Sequence, residues 1–209
     1  NLFNINWYRF YSGATTPTRT RTPTPSFTRT ATITPIMTST RTATPTQTST
    51  PVVQSVWRIR AGASSSYTDS QGNVWAADTN YNGGSTYSTT NTITDALPSA
   101  ADQALYQTER YGSSFTYVFY VPAGTYQVTL KFAETYFTSA GSRVFNVSIN
   151  GSAVISNFDI YGTVGGNRAI DMVINNITPS GGMITIVFTG VVENAKVCAI
   201  QVIPQPATP

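Results

Sequence analysis

Between Thr125 and Phe132 every second side chain is large and apolar. Tyr126, Val128, Leu130 and Phe132 alternate with Thr125, Gln127, Thr129 and Lys131. That period of two is satisfied by a strand with one buried face and by no helix. Phe145, Val147 and Ile149 repeat the pattern and run into Asn150-Gly151, a hairpin turn signal. Ile184, Ile186 and Phe188 repeat it again after the Pro179-Ser-Gly-Gly182 turn. Val197 to Ile203 is apolar on both faces apart from Gln201, which predicts one central strand covered on both sides. There is no convincing amphipathic helix longer than two turns. Many short strands with Gly, Pro and Asn punctuation predict an all-β fold, an antiparallel β-sandwich of jelly-roll-like form over residues 56–204. Roughly 150 residues suffice for one domain that buries about two-thirds of its unfolded surface.

The sequence ahead of that domain obeys a different rule. Residues 15–55 form a Thr/Pro-rich tract with scarce large hydrophobes, exemplified by Thr-Pro-Thr-Arg-Thr-Arg-Thr-Pro-Thr-Pro. Such sequence buries too little apolar surface to offset the entropy of ordering it, so it is predicted to be a disordered linker. Thr/Pro repeats favour extended conformations at ~3.1 Å per residue, a reach on the order of 100 Å. Dense Thr with Pro also suits O-glycosylated stalks. Asn1 to Tyr11 alternates like a strand without a partner, and a lone strand is not a domain. The start at Asn1, with no signal peptide, fits a piece of a longer protein. Residues 205–209 are a short tail. No run of 18 or more apolar residues occurs, so no membrane insertion is predicted.

Composition narrows the chemistry. The chain of 209 residues has no histidine and one cysteine, Cys198. Ser-His-Asp and Cys-His machinery, His-ligated zinc, Cys-based zinc and an intrachain disulfide are therefore all excluded. The net charge of +3 is uneven. Arg9, Arg19, Arg21, Arg29 and Arg41 precede residue 56 with no acid among them, which leaves the domain slightly acidic. Those arginines are spaced rather than clustered, so a nucleic-acid partner is not expected. The glycine pairs at 83–84, 165–166 and 181–182 match no phosphate-loop pattern. Asp69-Ser-Gln-Gly-Asn73 lacks the rest of a calcium loop and reads as a turn. Neither a metal nor any other cofactor is predicted. Apolar neighbours make Cys198 a buried small hydrophobe rather than a reactive thiol. Asn146, Asn150 and Asn176 head Asn-x-Ser/Thr sequons, meaningful only in a host that glycosylates them.

An enzyme of this composition would need a carboxylate pair, as in glycoside hydrolysis, with Asp102, Glu109, Glu134, Asp159 and Glu193 as candidates. Each is equally an ordinary salt-bridge or loop residue. The aromatic residues point elsewhere. Tyr81, Tyr87, Tyr111, Tyr136, Phe137 and Tyr161 fall where predicted strands give way to loops. A ring at a loop mouth can stack on the C–H face of a sugar while its polar tip meets hydroxyls, each contact contributing about 1 kcal/mol. The alternative is that these rings cap the ends of the sandwich.

Several strings carry a family resemblance. They are Arg60-Ala-Gly62, Asp69 to Gly72, Asp102-Gln-Ala-Leu-Tyr-Gln-Thr-Glu-Arg-Tyr111, Lys131-Phe-Ala-Glu-Thr-Tyr-Phe137, Arg143-Val-Phe-Asn-Val147, Asn157-Phe-Asp-Ile160 and Lys196-Val-Cys-Ala199. In this order, residues 57–203 resemble the malectin domain, also classed as carbohydrate-binding module family 57. Asn4-Ile-Asn-Trp-Tyr-Arg-Phe10 resembles the last strand of family 6 carbohydrate-binding modules, which implies that residues 1–14 are the terminal strand of a preceding β-sandwich module. The malectin resemblance implies a β-sandwich that binds small oligosaccharides, in animals a diglucose unit, through aromatic residues on loops at one end. Its ligand residues carry over to Tyr87, Tyr111, Tyr136 and Phe137. The family's hydroxyl-binding aspartate falls at Glu193, with Asn194 able to substitute. Two tyrosines near that aspartate in animal malectins are Val191 and Val192 here. The chain is thus expected to be a non-catalytic carbohydrate-binding module of an extracellular or cell-surface multidomain protein. Its expected partner is an oligosaccharide or polysaccharide, glucan-like by preference, and its linker would tether it to an upstream domain. A protein-interaction or adhesion domain using the same aromatic rim is the second reading, and a glycoside hydrolase the third.

Overall fold

The structure, a computed structural model, describes residues 55–205. The terminal strand expected at 1–14, the linker expected at 15–55 except Ser55, and the tail beyond Gln205 lie outside the described residues. Two antiparallel sheets face each other. One has four strands in the order β1 (Trp57–Arg60), β14 (Ala199–Pro204), β8 (Tyr126–Ala133) and β11 (Ala169–Ile177). The other has five, in the order β10 (Ser152–Phe158), β9 (Val144–Ile149), β12 (Met183–Val192), β7 (Ser114–Tyr120) and β4 (Tyr81–Asn82). A smaller sheet is built from β13 (Ala195–Val197), β6 (Thr108–Gly112) and β5 (Ser85–Ser88), and a two-stranded hairpin from β2 (Tyr67–Thr68) and β3 (Val74–Trp75). Helical structure among the described residues is limited to a 3-10 segment at Ala100–Leu105 and the short α1 at Ile160–Val164. The fold is the all-β sandwich that the period-two patterning predicts.

The alternation closes the core. Phe115, Tyr117 and Phe119 of β7, Phe145, Val147 and Ile149 of β9, and Ile184, Ile186 and Phe188 of β12 point inward and are buried. They meet Val128, Leu130 and Phe132 of β8 and Ile200 and Val202 of β14. Phe132 lies 5.7 Å from Phe145 and 5.4 Å from Phe158, ring centre to ring centre, which joins the two sheets. Fully burying a side chain of this size contributes about 1.5–3 kcal/mol.

Two local signals are realised closely. Asn150 (φ 50°) and Gly151 (φ 82°) form a two-residue hairpin between β9 and β10, both in the left-handed region that such a turn needs. The Asn150 side chain adds to it, accepting from Thr185 N at 2.8 Å and donating to Thr178 O at 2.9 Å. The expectation of one strand from Val197 to Ile203 needs a correction. The chain changes sheets at Cys198: β13 pairs with β6, whereas β14 pairs with β1 and β8. Apolarity on both faces marks this crossover as well as it marks a doubly covered strand. The covering is real, because a second apolar cluster around Trp75, Leu105 and Tyr106 packs on Ala133 and Ala199, on the outer face of the four-stranded sheet.

Candidate functional site

The small sheet supplies one wall of a cavity. Glu109 and Tyr111 are two residues apart on β6 and so project from the same face. Tyr87 on β5 is directly opposite Glu109, and Lys196 on β13 is directly opposite Tyr111. The intervening Arg110 points the other way, donating to Asp78 at 2.9 and 2.7 Å and lying 3.3 Å from the centre of the Tyr81 ring. Strand parity therefore separates the face that lines the cavity from the face that anchors the sheet.

Two further segments complete the enclosure. The β8–β9 connection brings Tyr136 and Phe137, and the β12–β13 turn brings Glu193 and Asn194. The resulting cavity, about 210 Å³, is lined by Tyr87, Tyr111, Tyr136, Phe137, Glu193 and Asn194, together with Glu109 and Arg143. The Tyr87 and Tyr136 rings meet edge to face at 6.1 Å, and Tyr136 and Phe137 do so at 5.1 Å. Tyr136 remains 65% exposed, with its ring free on the solvent side. All six residues carried over from the resemblance thus meet at one cavity. Two of the six aromatics singled out in the sequence do not: Tyr81 lies under Arg110, and Tyr161 sits in α1. Tyr87 and Tyr111 also stand on strands rather than on loops.

Beneath the aromatics lies a buried layer of charge. Lys196 is ion-paired with Glu109, and both side chains are almost fully buried. Glu134, 1% exposed, accepts from Arg143 Nε at 2.8 Å through Oε2 and from the backbone N–H of Tyr136 and Phe137 at 3.0 and 3.1 Å through Oε1. Arg143 then donates from Nη1 to Asn194 O at 2.7 Å, and its guanidinium lies 4.9 Å from the centre of the Phe137 ring. Burial alone would raise the Glu134 carboxyl. The Lys196 and Arg143 charges and the two backbone N–H groups outweigh it and hold the carboxyl below its ordinary range.

Glu109 and Arg143 as cavity-lining residues escaped the sequence reading, which weighed Glu109 only as an acid and gave Arg143 no role. A signal for Arg143 was present: it keeps the inward parity of Phe145 and Val147. A cation in register with core residues requires a buried partner.

The other candidate carboxylates are engaged in structure. Asp102 accepts from Tyr67 Oη at 3.0 Å, Ser70 N at 2.8 Å and Ser70 Oγ at 2.6 Å. Asp159 caps α1 through Gly162 N at 2.9 Å and also accepts from Gly141 N at 2.6 Å. Asp69 closes its turn by accepting from Gln71 N, Asn73 N and Trp75 Nε1, as the turn reading expects. Among the described residues no group of three or more Asp, Glu, Cys or His is placed to hold a metal ion.

The fold and cavity define a β-sandwich domain with an aromatic-walled pocket at one end. The family model of the malectin domain matches residues 55–203, and the chain belongs to the malectin domain family. It is 37% identical to malectin of Homo sapiens over 117 residues, which are 48% of this chain and 40% of the human protein. Against malectin of Danio rerio the identity is 34% over 120 residues, 50% of this chain and 42% of the fish protein. The chain thus spans about two-fifths of the length of these relatives. Among solved structures, the ANX1 ectodomain of Arabidopsis thaliana superposes with a TM-score of 0.62 at 19% identity, covering 71% of this chain and 48% of that one. The β-glucuronidase 2 of Bacteroides uniformis superposes with a TM-score of 0.62 at 20% identity, covering 73% of this chain and 18% of the enzyme. At such identities these two structures speak for the fold alone.

Proposed function

We propose that residues 56–204 are a non-catalytic carbohydrate-binding module that takes an oligosaccharide, glucan-like by preference, in the aromatic cavity. The observation that carries this reading is the convergence of Tyr87, Tyr111, Tyr136 and Phe137 on one cavity with Glu193 and Asn194. Rings supply stacking surfaces for sugar C–H faces, and the polar pair accepts hydroxyl hydrogen bonds. Four aromatic contacts at about 1 kcal/mol each, with a few hydrogen bonds, correspond to affinities of roughly micromolar or weaker. Weak single sites suffice where a linker to a second module raises effective concentration at a polymer surface. Residues 15–55 are read as that linker, and the parent protein as an extracellular or cell-surface one. Glycoside hydrolysis finds little support: Glu109 and Glu134 are committed to buried cations, and the Glu134 carboxyl is held down where a general acid needs its pKa raised.

The test is calorimetric titration of the full chain with glucose-, galactose- and xylose-based oligosaccharides, beside Tyr136→Ala/Phe137→Ala. The expected result is binding of a glucose-based oligosaccharide, weakened about tenfold to a hundredfold in the double variant. Equal binding by the double variant, or no binding of any oligosaccharide, rejects the reading. Release of reducing ends would point to the hydrolase instead.

A further inference from the structure

A second concavity, about 390 Å³, shares no lining residue with the aromatic cavity. Its floor is the outward face of the four-stranded sheet: Thr129 and Lys131 of β8, Asp171 and Val173 of β11, and Gln201 of β14. Its walls are the β2–β3 hairpin and the Leu97-Pro98 segment.

The walls are held by buried and half-buried polar bonds. Trp75 Nε1 donates to Asp69 Oδ2 at 3.0 Å and closes the hairpin. Lys131 Nζ donates to Leu97 O at 3.1 Å, and Leu97 N donates to Tyr106 Oη at 3.2 Å, which fixes the opposite wall to the sheet. The groove is therefore formed before any ligand arrives, so binding requires little ordering of the protein.

Its charges are already committed. The Lys131 ammonium has three N–H donors, and three acceptors meet it: Leu97 O, Tyr106 Oη at 3.0 Å and Asp171 Oδ2 at 2.6 Å. Asp171 Oδ1 accepts from Tyr106 Oη at 2.7 Å. Asp69 receives Gln71 N, Asn73 N, Asn73 Nδ2 and Trp75 Nε1. An anionic ligand would find no uncommitted cation on this lining.

The groups left over are neutral. Thr129 Oγ1 and Asn73 Oδ1 have no protein partner among the described residues. Oriented so that its oxygen accepts from Arg58 Nε and Nη2, 2.9 and 3.2 Å away, the Gln201 amide keeps its NH2 group to donate elsewhere. Thr129 is directly opposite Gln201 on one side and Val173 on the other, so one row across three strands runs amide, hydroxyl, aliphatic. Val173 and Leu97 on this lining are half exposed. Exposed aliphatic surface beside uncommitted neutral donors and acceptors matches a ligand with an apolar face and a fringe of hydroxyls.

We propose that this groove is a second carbohydrate site, which takes a neutral oligosaccharide across β14, β8 and β11 independently of the aromatic cavity. Two sites on one domain would let a single copy engage a polymer twice and gain avidity without a new contact.

The test uses the isotopically labelled full chain carrying Tyr136→Ala/Phe137→Ala, so that the aromatic cavity is disabled. Backbone amide signals are followed during titration with cellohexaose, maltohexaose, xylohexaose and mannohexaose, and with an anionic hexagalacturonate. At least one neutral hexasaccharide is expected to shift Thr129, Val173 and Gln201 saturably, and hexagalacturonate to shift none of them. Val173→Arg, at an exposed position that does not threaten folding, is expected to weaken binding about tenfold or more. Absence of saturable shifts with every neutral sugar, undiminished affinity in Val173→Arg, or preference for hexagalacturonate overturns the proposal. In the unmutated chain, shifts near Tyr87 and Tyr111 report the aromatic cavity separately, so either site can fail without the other.

Discussion

Glu134 Oε2 and Arg143 Nε lie 2.8 Å apart, and this buried contact ties together the segments that surround the aromatic cavity. Through Oε1 the glutamate holds the N–H groups of Tyr136 and Phe137, and through Nη1 the arginine holds the carbonyl of Asn194. The positions of two stacking rings and of the Glu193-Asn194 turn therefore depend on one ion pair. Replacing such a pair with apolar groups is often neutral, whereas removing one partner strands the other charge.

Glu134→Gln tests that dependence. The amide can still accept from Tyr136 and Phe137, but it confronts Arg143 Nε with a neutral group and leaves a buried guanidinium without its counter-charge. The expected loss is about 3–5 kcal/mol in urea unfolding. Adding Arg143→Met is expected to recover much of it, because no buried charge is then stranded. Simple addition of the two single effects, to within about 0.5 kcal/mol, would show that the residues act independently.

Acid should act through the same carboxyl. The folded state holds Glu134 below its ordinary value of 4.5, so between the two values the unfolded chain binds the extra proton. The contribution is fully present above the ordinary glutamate value and is lost as pH falls through the depressed folded value. Urea midpoints of wild type and Glu134→Gln, compared from about pH 7 to about pH 3, should converge toward the acid end. A gap that stays constant over that range would separate the glutamine effect from Glu134 ionisation.

Cys198 sits at the crossover between sheets, fully buried, and burial pushes its thiol up to about 12. Its N–H donates to Lys131 O and its carbonyl accepts from Ala61 N, both at 2.9 Å, so no local opening of the backbone is free of cost. Thiol labelling of the native protein near pH 8 is expected to proceed at the rate of global unfolding and to become fast in denaturant. Rapid stoichiometric labelling under native conditions would mean that the crossover opens locally.

The sandwich was legible because period two fixes which face of each strand is buried, as Tyr126 to Phe132 and Phe145 to Ile149 show. The change of sheet at Cys198 was not, because apolar residues on both faces suit either a covered central strand or a crossover. At the cavity, chemical type and family spacing singled out Tyr87, Tyr111, Tyr136, Phe137, Glu193 and Asn194, and the fold brings them together. The contacts beneath them join residues distant in the chain, Lys196 to Glu109 by an ion pair and Arg143 to the Asn194 carbonyl by a hydrogen bond, and no local pattern encodes such partners. Tyr81 and Tyr161 show the converse: a tyrosine near a strand end has the right chemistry, but parity and neighbours decide where its ring goes.

The β12–β13 turn separates backbone shape from side-chain chemistry. A Cβ on Gly190 would lie 2.2 Å from the Glu193 carbonyl oxygen, so Gly190→Ala must push the turn outward and carry Glu193 and Asn194 with it. It is expected to cost about 1–3 kcal/mol in urea unfolding and to weaken oligosaccharide binding as well. Glu193 itself has φ 57°, a left-handed conformation that asparagine tolerates better than glutamate. Glu193→Asn should therefore fold at least as stably as wild type while removing the carboxylate. If the carboxylate accepts a sugar hydroxyl, this variant loses affinity with no loss of stability, by about tenfold for one charge-assisted hydrogen bond. Unchanged affinity in Glu193→Asn together with a loss in Gly190→Ala would assign the hydroxyl contact to Asn194, whose backbone is the part of the turn that Arg143 holds.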